Sequence, residues 1–341
     1  MTILLVDHKC HLRTKSFDFV RTLLERRFTV VTHHYDKVYE PCIPADLLAA
    51  ADIVVFLEFL ASRFSLGIVG KRCVYFPMYD NEWGSVGLWK RLALLGMNVV
   101  SFSKRVSAHA RRCGVRNVLD VKYAFNPDRF QNMAGNPRIV ALWERGDVAF
   151  PVIKKLFEPR DLDKVVLIRR PAEGVSYCPI PPEDIGAYHV EIHESGFLPE
   201  SEYMAILKEP GIYIAPRLKE GIGMAFLEQM AMGKCVVAHG DATMDEYIVD
   251  GKTGIIVNMR APRRISKEEI DLVRSHMQNA AKEMHLCWLA DEERLLSFFS
   301  QMECQPTLQS PWGIRSIFWF VLYWIEGFFM YVSQTVKARF K

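Results

Sequence analysis

The sequence lacks the features that mark several common protein classes. Its eight cysteines (10, 42, 73, 113, 178, 235, 287 and 304) never fall at CxxC spacing, so the pattern indicates neither a zinc ligand set nor a disulfide framework. Cys73 and Cys235 lie inside apolar runs, where a free buried thiol in a reducing compartment is the ordinary state. There is no HExxH, GxSxG or GxGxxG. Gly251-Lys-Thr253 has the ending of a P-loop, but Glu246 stands where its first glycine belongs. Asp161-Leu-Asp163, a conceivable metal pair, lies in a charged loop and reads as a solvated turn. A basic stripe is also missing. Four of the 43 basic and one of the 40 acidic side chains fall in 311–341, which leaves 39 of each in a neutral body and excludes a nucleic-acid protein. Apolar runs before residue 312 are short, and Ile3–Val6 is broken at once by Asp7-His8-Lys9, so neither a signal peptide nor a multi-span protein is read and the body is expected in the cytoplasm.

What is present is a chain of 341 residues, half of them hydrophobic, long enough for two domains with cores of their own. Short apolar runs alternate with segments of helical period, the pattern of parallel α/β layers. In the first half Ile3–Val6, Phe28–Val31, Ile53–Leu57, Cys73–Phe76, Val99–Phe102 and Val118–Val121 read as strands, separated by helices over 16–27, 84–95 and 104–113. The turn-rich stretch 125–137 is the expected linker. A second series follows, with strands at Ile139–Leu142, Val165–Ile168, Ile212–Ala215, Val236–Ala238 and Ile255–Val257 and helices near 147–157, 200–208, 222–232 and 266–283. The expected division is a Rossmann-like domain over 1–131, a second over 132–305 and a tail over 306–341. Two such domains place a ligand crevice at the carboxyl ends of their strands.

The segment from Ile212 to His239 carries the most chemistry. A strand ends at Pro216, a loop presents Glu220 between lysine and Gly221, and a helix opens at Gly223–Met224. Glycines there admit a ligand close to the backbone, and the free N–H groups of the first helical turn favour phosphate. Glu228 lies on that helix among Ala225, Phe226 and Leu227, where a lone carboxylate is costly without a partner. Two acids around an anion-binding helix start suit a ligand with phosphates in the middle and hydroxyls at both ends, a nucleotide sugar.

Glu220, seven residues and Glu228, then Met-Ala-Met-Gly-Lys-Cys-Val-Val-Ala and Asp245-Glu-Tyr-Ile-Val-Asp-Gly-Lys-Thr-Gly254, resemble the donor-site signature of the retaining glycosyltransferases of GT-B architecture, the group 1 family that includes sucrose synthases and bacterial lipopolysaccharide and mannosyl transferases. A thinner similarity covers Val100-Ser-Phe-Ser to Phe125-Asn-Pro-Asp-Arg-Phe130. The resemblance implies two Rossmann-like domains facing a cleft. It also implies transfer from a nucleotide-diphosphate sugar without metal or cofactor, Glu220 on the donor-sugar hydroxyls and Glu228 on the ribose, with Gly221, Gly223 and Met224 beside the phosphates. Family members bring an Arg–Lys pair to the diphosphate. Arg145 sits where the arginine belongs, whereas Lys154 and Lys155 follow farther on than is usual, and Arg169 or Arg170 could serve instead. The first domain is expected to bind the acceptor through His11, Tyr79 and Asp80. The histidine that often follows the strand matching Cys73–Phe76 is replaced by Pro77-Met-Tyr-Asp80 and does not transfer. A GT-B-like nucleotide-sugar epimerase and a non-catalytic membrane scaffold are the alternatives.

The tail is a case of its own. Nine of the chain's 40 aromatics fall between Trp312 and Tyr331, and Ser316–Val332 is apolar on every side if helical. Ile314–Val332 would measure ~28 Å as a helix, close to the bilayer's hydrocarbon thickness. Glu326 and the basic Lys337, Arg339 and Lys341 oppose a span, so an in-plane anchor on anionic lipid at the cytoplasmic face of the plasma membrane is expected. The expected partners are thus a nucleotide sugar, a lipid-linked or surface-glycan acceptor and the membrane.

Overall fold

The structure is a computed structural model that describes the chain except residues 37–42, 61–71, 82–83, 146, 170–176, 195–197, 303–313, 315–316, 319–320, 323 and 326–341. The chain forms two compact units, one of Met1–Val121 with Asp291–Lys341 and one of Lys122–Ala290.

In unit 1 the runs of Val, Ile, Leu and Phe become β1 (Thr2–His8), β2 (Thr29–Tyr35), β3 (Ile53–Leu57), β4 (Arg72–Phe76), β5 (Asn98–Ser101) and β6 (Val118–Asp120). They lie in one parallel sheet in the order β2-β1-β3-β4-β5-β6. β3 is buried at every position, as a strand covered on both faces must be. The helices are α1 (Cys10–Thr14), α2 (Asp18–Glu25), α3 (Ala45–Ala50), α4 (Val86–Leu94) and α5 (Lys104–Arg112). Val20, Leu23 and Leu24 of α2, three and four apart, turn its apolar face inward. Ser85 caps α4, its Oγ accepting from Leu88 N at 3.2 Å.

Unit 2 repeats the plan with β7 (Asn136–Glu144), β8 (Lys164–Arg169), β9 (Val190–Glu194), β10 (Pro210–Ile214), β11 (Cys235–His239) and β12 (Ile255–Val257), all parallel in the order β12-β11-β10-β7-β8-β9. Its helices are α6 (Phe150–Leu156), α7 (Pro182–Ala187), α8 (Glu200–Lys208), α9 (Met224–Ala231), α10 (Met244–Tyr247) and the part of α11 (Lys267–Ser300) up to Ala290, the rest of that helix belonging to unit 1. The turn-rich stretch expected as a linker is folded into this unit. Asn126 caps a 3-10 turn at Pro127–Phe130, and Phe130 is buried with Ile168, Leu207, Ala231 and Met232.

Several elements exceed the sequence reading for identifiable reasons. β9 (Val-Glu-Ile-His-Glu) is a half-exposed edge strand without an apolar run, and α1 is too short and polar to show a period. α11 continues past 283 to Ser300 because its buried series runs on through Trp288, Leu295, Leu296 and Phe299.

Each sheet reverses its direction of growth once. In unit 1 the chain steps from β1 to β2 on one side and returns to β3 on the other; in unit 2 it grows from β7 through β8 to β9 and returns to β10. Crevices at the carboxyl ends of open α/β sheets form at such switch points, here β1/β3 and β7/β10.

In the tail, Ile314, Ile317, Phe318, Val321, Leu322, Trp324 and Ile325 are helical, and Ile314, Phe318 and Trp324 are well exposed. Among the described residues no helix is long and apolar enough to cross a membrane. Trp312, Glu326, Lys337, Arg339 and Lys341 of the expected anchor lie outside the described residues.

Candidate functional site

At the β7/β10 switch point of unit 2, β10 delivers its chain through Ala215 and Pro216 into the loop that carries Glu220, which is buried. The loop after β11 grips this residue by its backbone. Glu220 N donates to Ala242 O at 3.4 Å, and the buried Thr243 Oγ1 donates to Glu220 O at 3.4 Å. Gly221 and Gly223 follow, both buried. Gly223 holds φ +82°, the left-handed region, directly before α9 opens at Met224. A Cβ there would stand 1.9 Å from the Phe226 ring, so the turn accepts no larger residue unchanged. As a glycine cap it brings no side chain to the opening N–H groups of α9, which remain available to an external acceptor. The turn before β12 is equally tied: Thr253 Oγ1 accepts from Val249 N at 2.8 Å, and Asp250 Oδ1 accepts from Ile256 N at 2.8 Å.

Glu228 is half-buried on α9. Burial pushes its carboxyl up to about 7, opposed by a hydrogen bond from Tyr203 and by the charge of Lys234. Lys234 is fully buried and donates from Nζ to Leu207 O; burial pulls its ammonium down to about 7 while Glu228 opposes that. Tyr213, in the middle of β10 and wholly buried, ties the predicted residues together. Burial raises its phenol, the charges of Glu220 and Glu228 raise it further, and Arg145 lowers it. Those three side chains are therefore within electrostatic reach of one phenol. Arg145 itself is exposed just past the end of β7, its guanidinium 4.8 Å from the centre of the Trp143 ring.

The other basic candidates are engaged elsewhere. Lys154 is exposed on α6 and bonds Asp184 of α7 at 2.7 Å, which raises its pKa. Arg169, buried at the end of β8, donates from Nε to Glu144 at 2.5 Å and from Nη2 to Cys178 O at 3.2 Å, with its guanidinium 5.1 Å from the Tyr177 ring. Glu144 also receives Phe150 N at 2.8 Å, at the start of α6, so this acid joins Arg169 to that helix. Arg170 lies outside the described residues.

In unit 1, Tyr79 is buried, and its hydroxyl accepts from Arg105 Nη1 at 3.4 Å; Asp80 beside it is exposed. His11 sits at the β1/β3 switch point, buried, with Nδ1 2.5 Å from Asp7 Oδ1 and Nε2 2.8 Å from Glu58 Oε2. Burial alone would lower its pKa, but hydrogen bonds to Asp7 and Glu58 and the charge of Asp7 raise it to about 11, so the ring is an imidazolium between two carboxylates. Sequence reasoning missed Asp7, Glu58 and Tyr213. The available signal was positional: Asp7 and Glu58 are acids at the carboxyl ends of neighbouring apolar strands. Among the described residues no group of His, Cys, Asp and Glu has the geometry to hold a metal ion.

Residues 187–284 match the family described as glycosyl transferases group 1. No curated protein matches the chain in sequence. Solved structures match the fold over nearly the whole chain at low identity. A glycosyltransferase from Rickettsia africae superposes with a TM-score of 0.62 at 14% identity, over 88% of this chain and 98% of that one. The Anabaena protein HepE, solved in complex with UDP and glucose, gives 0.57 at 13% identity, over 89% and 100%. Sucrose-phosphate synthase from Thermosynechococcus elongatus gives 0.57 at 11% identity, over 88% and 98%. The two six-stranded parallel sheets with their helices are the two-domain α/β fold these proteins share.

Proposed function

From the match of residues 187–284 to the glycosyl transferases group 1 family and the shared two-domain α/β fold, we propose that this protein is a glycosyl transfer enzyme that moves a sugar from a nucleotide-diphosphate donor to a lipid-linked or surface-glycan acceptor at the membrane, with retention at the anomeric carbon. The observation that carries the reading is the placement of Arg145 after β7 and Glu220 after β10, the two strands of the β7/β10 switch point, with the glycine-capped α9 that carries Glu228 following at once. HepE binding UDP and glucose on a similar fold is consistent with it.

In this reading Glu220 binds hydroxyls of the donor sugar, its backbone fixed by Ala242 and Thr243. Glu228, held by Tyr203, takes the ribose hydroxyls. The diphosphate lies against the first turn of α9 and Gly221–Gly223. Negative charge grows there as the bond from the anomeric carbon to the phosphate oxygen breaks, and the helix N–H groups and Arg145 stabilise it. No metal is invoked for this. Lys154 and Arg169 are given lesser parts, because Asp184 and Glu144 already hold them; Arg169 orders the β7 and β8 ends beside the site. Met224 contributes backbone at the helix start. Unit 1 supplies the acceptor side, with His11, Tyr79 and Asp80 in its surroundings. The exposed apolar residues Ile314, Phe318 and Trp324 dock on a membrane surface from the cytoplasmic side.

The test is a panel of nucleotide sugars measured by thermal shift on the full chain, followed by incubation of membranes with the labelled donor that stabilises it. Label passing into a lipid or glycan fraction is the expected result. An altered free donor with no label transferred would replace transfer by epimerisation, and a chain that binds no donor would lose the enzymatic reading.

A further inference from the structure

The carboxyl ends of β1, β2 and β3 gather more chemistry than packing requires. Asp7 ends the buried part of β1, Tyr35 ends β2, Glu58 follows β3, and His11 of α1 lies between the two acids. Glu58 is fixed at three points: its N donates to Phe76 O at 3.0 Å, its O accepts from Tyr75 Oη at 2.9 Å, and its Oε2 pairs with His11. It holds this place at φ +61°, a conformation that an L-residue with a side chain adopts at a cost. Its Oε1 has no hydrogen-bond partner among the described residues, and the side chain is 24% exposed. Tyr35 is 5% exposed, and its hydroxyl is buried without a hydrogen-bond partner among the described residues. That hydroxyl lies in the fields of Asp7 and Glu58. A buried phenol within electrostatic reach of two carboxylates and bonded to neither is an unmet donor at these aligned strand ends, and such groups normally find a partner.

The missing partner can be characterised chemically. It must accept from the Tyr35 phenol and donate to Glu58 Oε1, which an alcohol does with one oxygen. A phosphate brings negative charge to two carboxylates whose intervening cation is already shared. Lys9, two residues from Asp7, is itself paired with Asp36 at 2.6 Å. His34, whose Nε2 lies 4.0 Å from Asp7 Oδ2, is shifted by burial toward its neutral form and adds no cation. We propose that this edge of unit 1 recognises an uncharged sugar hydroxyl of the acceptor: Glu58 accepts its hydrogen bond, Tyr35 donates to the same oxygen, and His11 is a positioning residue that fixes Glu58. The proposal rests on the glycan-acceptor reading above and narrows it. The recognised part of the acceptor is a neutral sugar, and His11, with both ring nitrogens occupied by carboxylates, serves the acceptor through Glu58 rather than by direct contact.

The experiment uses the full chain labelled with 15N-histidine and titrated with methyl α-glucoside, α-galactoside and α-mannoside, and separately with sodium phosphate. At least one glycoside should shift the His11 ring-nitrogen signals saturably, and phosphate should leave them in place. Glu58→Gln should weaken that glycoside about tenfold or more, and Tyr35→Phe about threefold, the range of a charged and a neutral hydrogen bond. For these variants and for His11→Gln, binding is read by saturation-transfer NMR, with the thermal shift by UDP unchanged as the sign that unit 2 is unaffected. A response to phosphate and not to glycosides overturns the proposal. So does silence toward every glycoside, which would leave the phenol to an ordered water, and so do variants that bind as tightly as the wild type. Failure here is separable from failure of the transfer reading. Transfer with no glycoside response removes only this site, whereas a glycoside response in a chain that transfers from no nucleotide sugar keeps the site and removes the reaction.

Discussion

Replacing His11 by leucine tests the electrostatics of unit 1 directly. The imidazolium lies between Asp7, which is 6% exposed, and Glu58. Removing it leaves one buried acid with no cation and a second partly so. Deleting one partner of a buried ion pair costs about 3–5 kcal/mol; because the Glu58 side chain is 24% exposed, water relieves part of this and we expect about 3 kcal/mol. For a domain of this size that lowers the melting temperature by roughly 6–12 °C. The pH dependence is the sharper signature. His11 is raised from 6.5 to about 11 in the folded protein, so the folded state holds a proton that the unfolded chain releases between those values. Its stabilisation is complete below pH 6.5 and is lost as pH rises toward 11. Between these values the folded state holds about one proton more than the unfolded chain, which gives a slope approaching 1.4 kcal/mol per pH unit. Urea denaturation of both proteins at pH 6.5 and pH 8.5 should therefore show the gap between them narrowing by about 2 kcal/mol. A gap that is constant or grows with pH would refute the buried imidazolium.

Other outcomes follow from unit 2. Glu220→Ala should abolish transfer while circular dichroism and melting stay near wild type, and a fully active variant would remove Glu220 from the site. Glu228, raised to about 7, holds a proton in the folded state from pH 4.5 upward, so its contribution to stability falls as pH rises through 4.5–7. With the ribose role proposed for the Glu228 carboxylate, donor affinity should rise over the same window by up to about tenfold per pH unit near its lower end, and calorimetric titration of Glu228→Gln should show no such rise. Gly223→Ala forces a Cβ into the left-handed region and against Phe226, whose ring packs on Tyr247 at 5.9 Å. It should cost about 2–4 kcal/mol in urea unfolding.

The fold was legible because its strands are buried on both faces and appear as unbroken runs, such as Ile53–Leu57 and Ile212–Ile214. The edge strand Val190–Glu194 was not, since half-exposed edges mix charge into the pattern. Glu220 and Glu228 could be nominated from sequence because their spacing is local, eight residues within one loop and helix. Glu58 and Asp7 could not, because they are 51 positions apart and meet only through the parallel pairing of β1 with β3. Basic residues were the hardest to assign. The sequence favours Arg145 and offers Lys154 and Arg169 behind it, and only the placement of Asp184 and Glu144 shows that these two are already engaged.

The chain leaves unit 1 after Val121 and re-enters it at Asp291, so the second unit is a single uninterrupted stretch while the first is assembled from two pieces. The two architectures therefore differ in how they can be exchanged. Residues 122–290 form one cassette that could be grafted whole from a relative, with the splice on the far side falling inside α11. A transplant of the first unit would need its closing helical turns as well, because Leu295, Leu296 and Phe299 are among its buried residues.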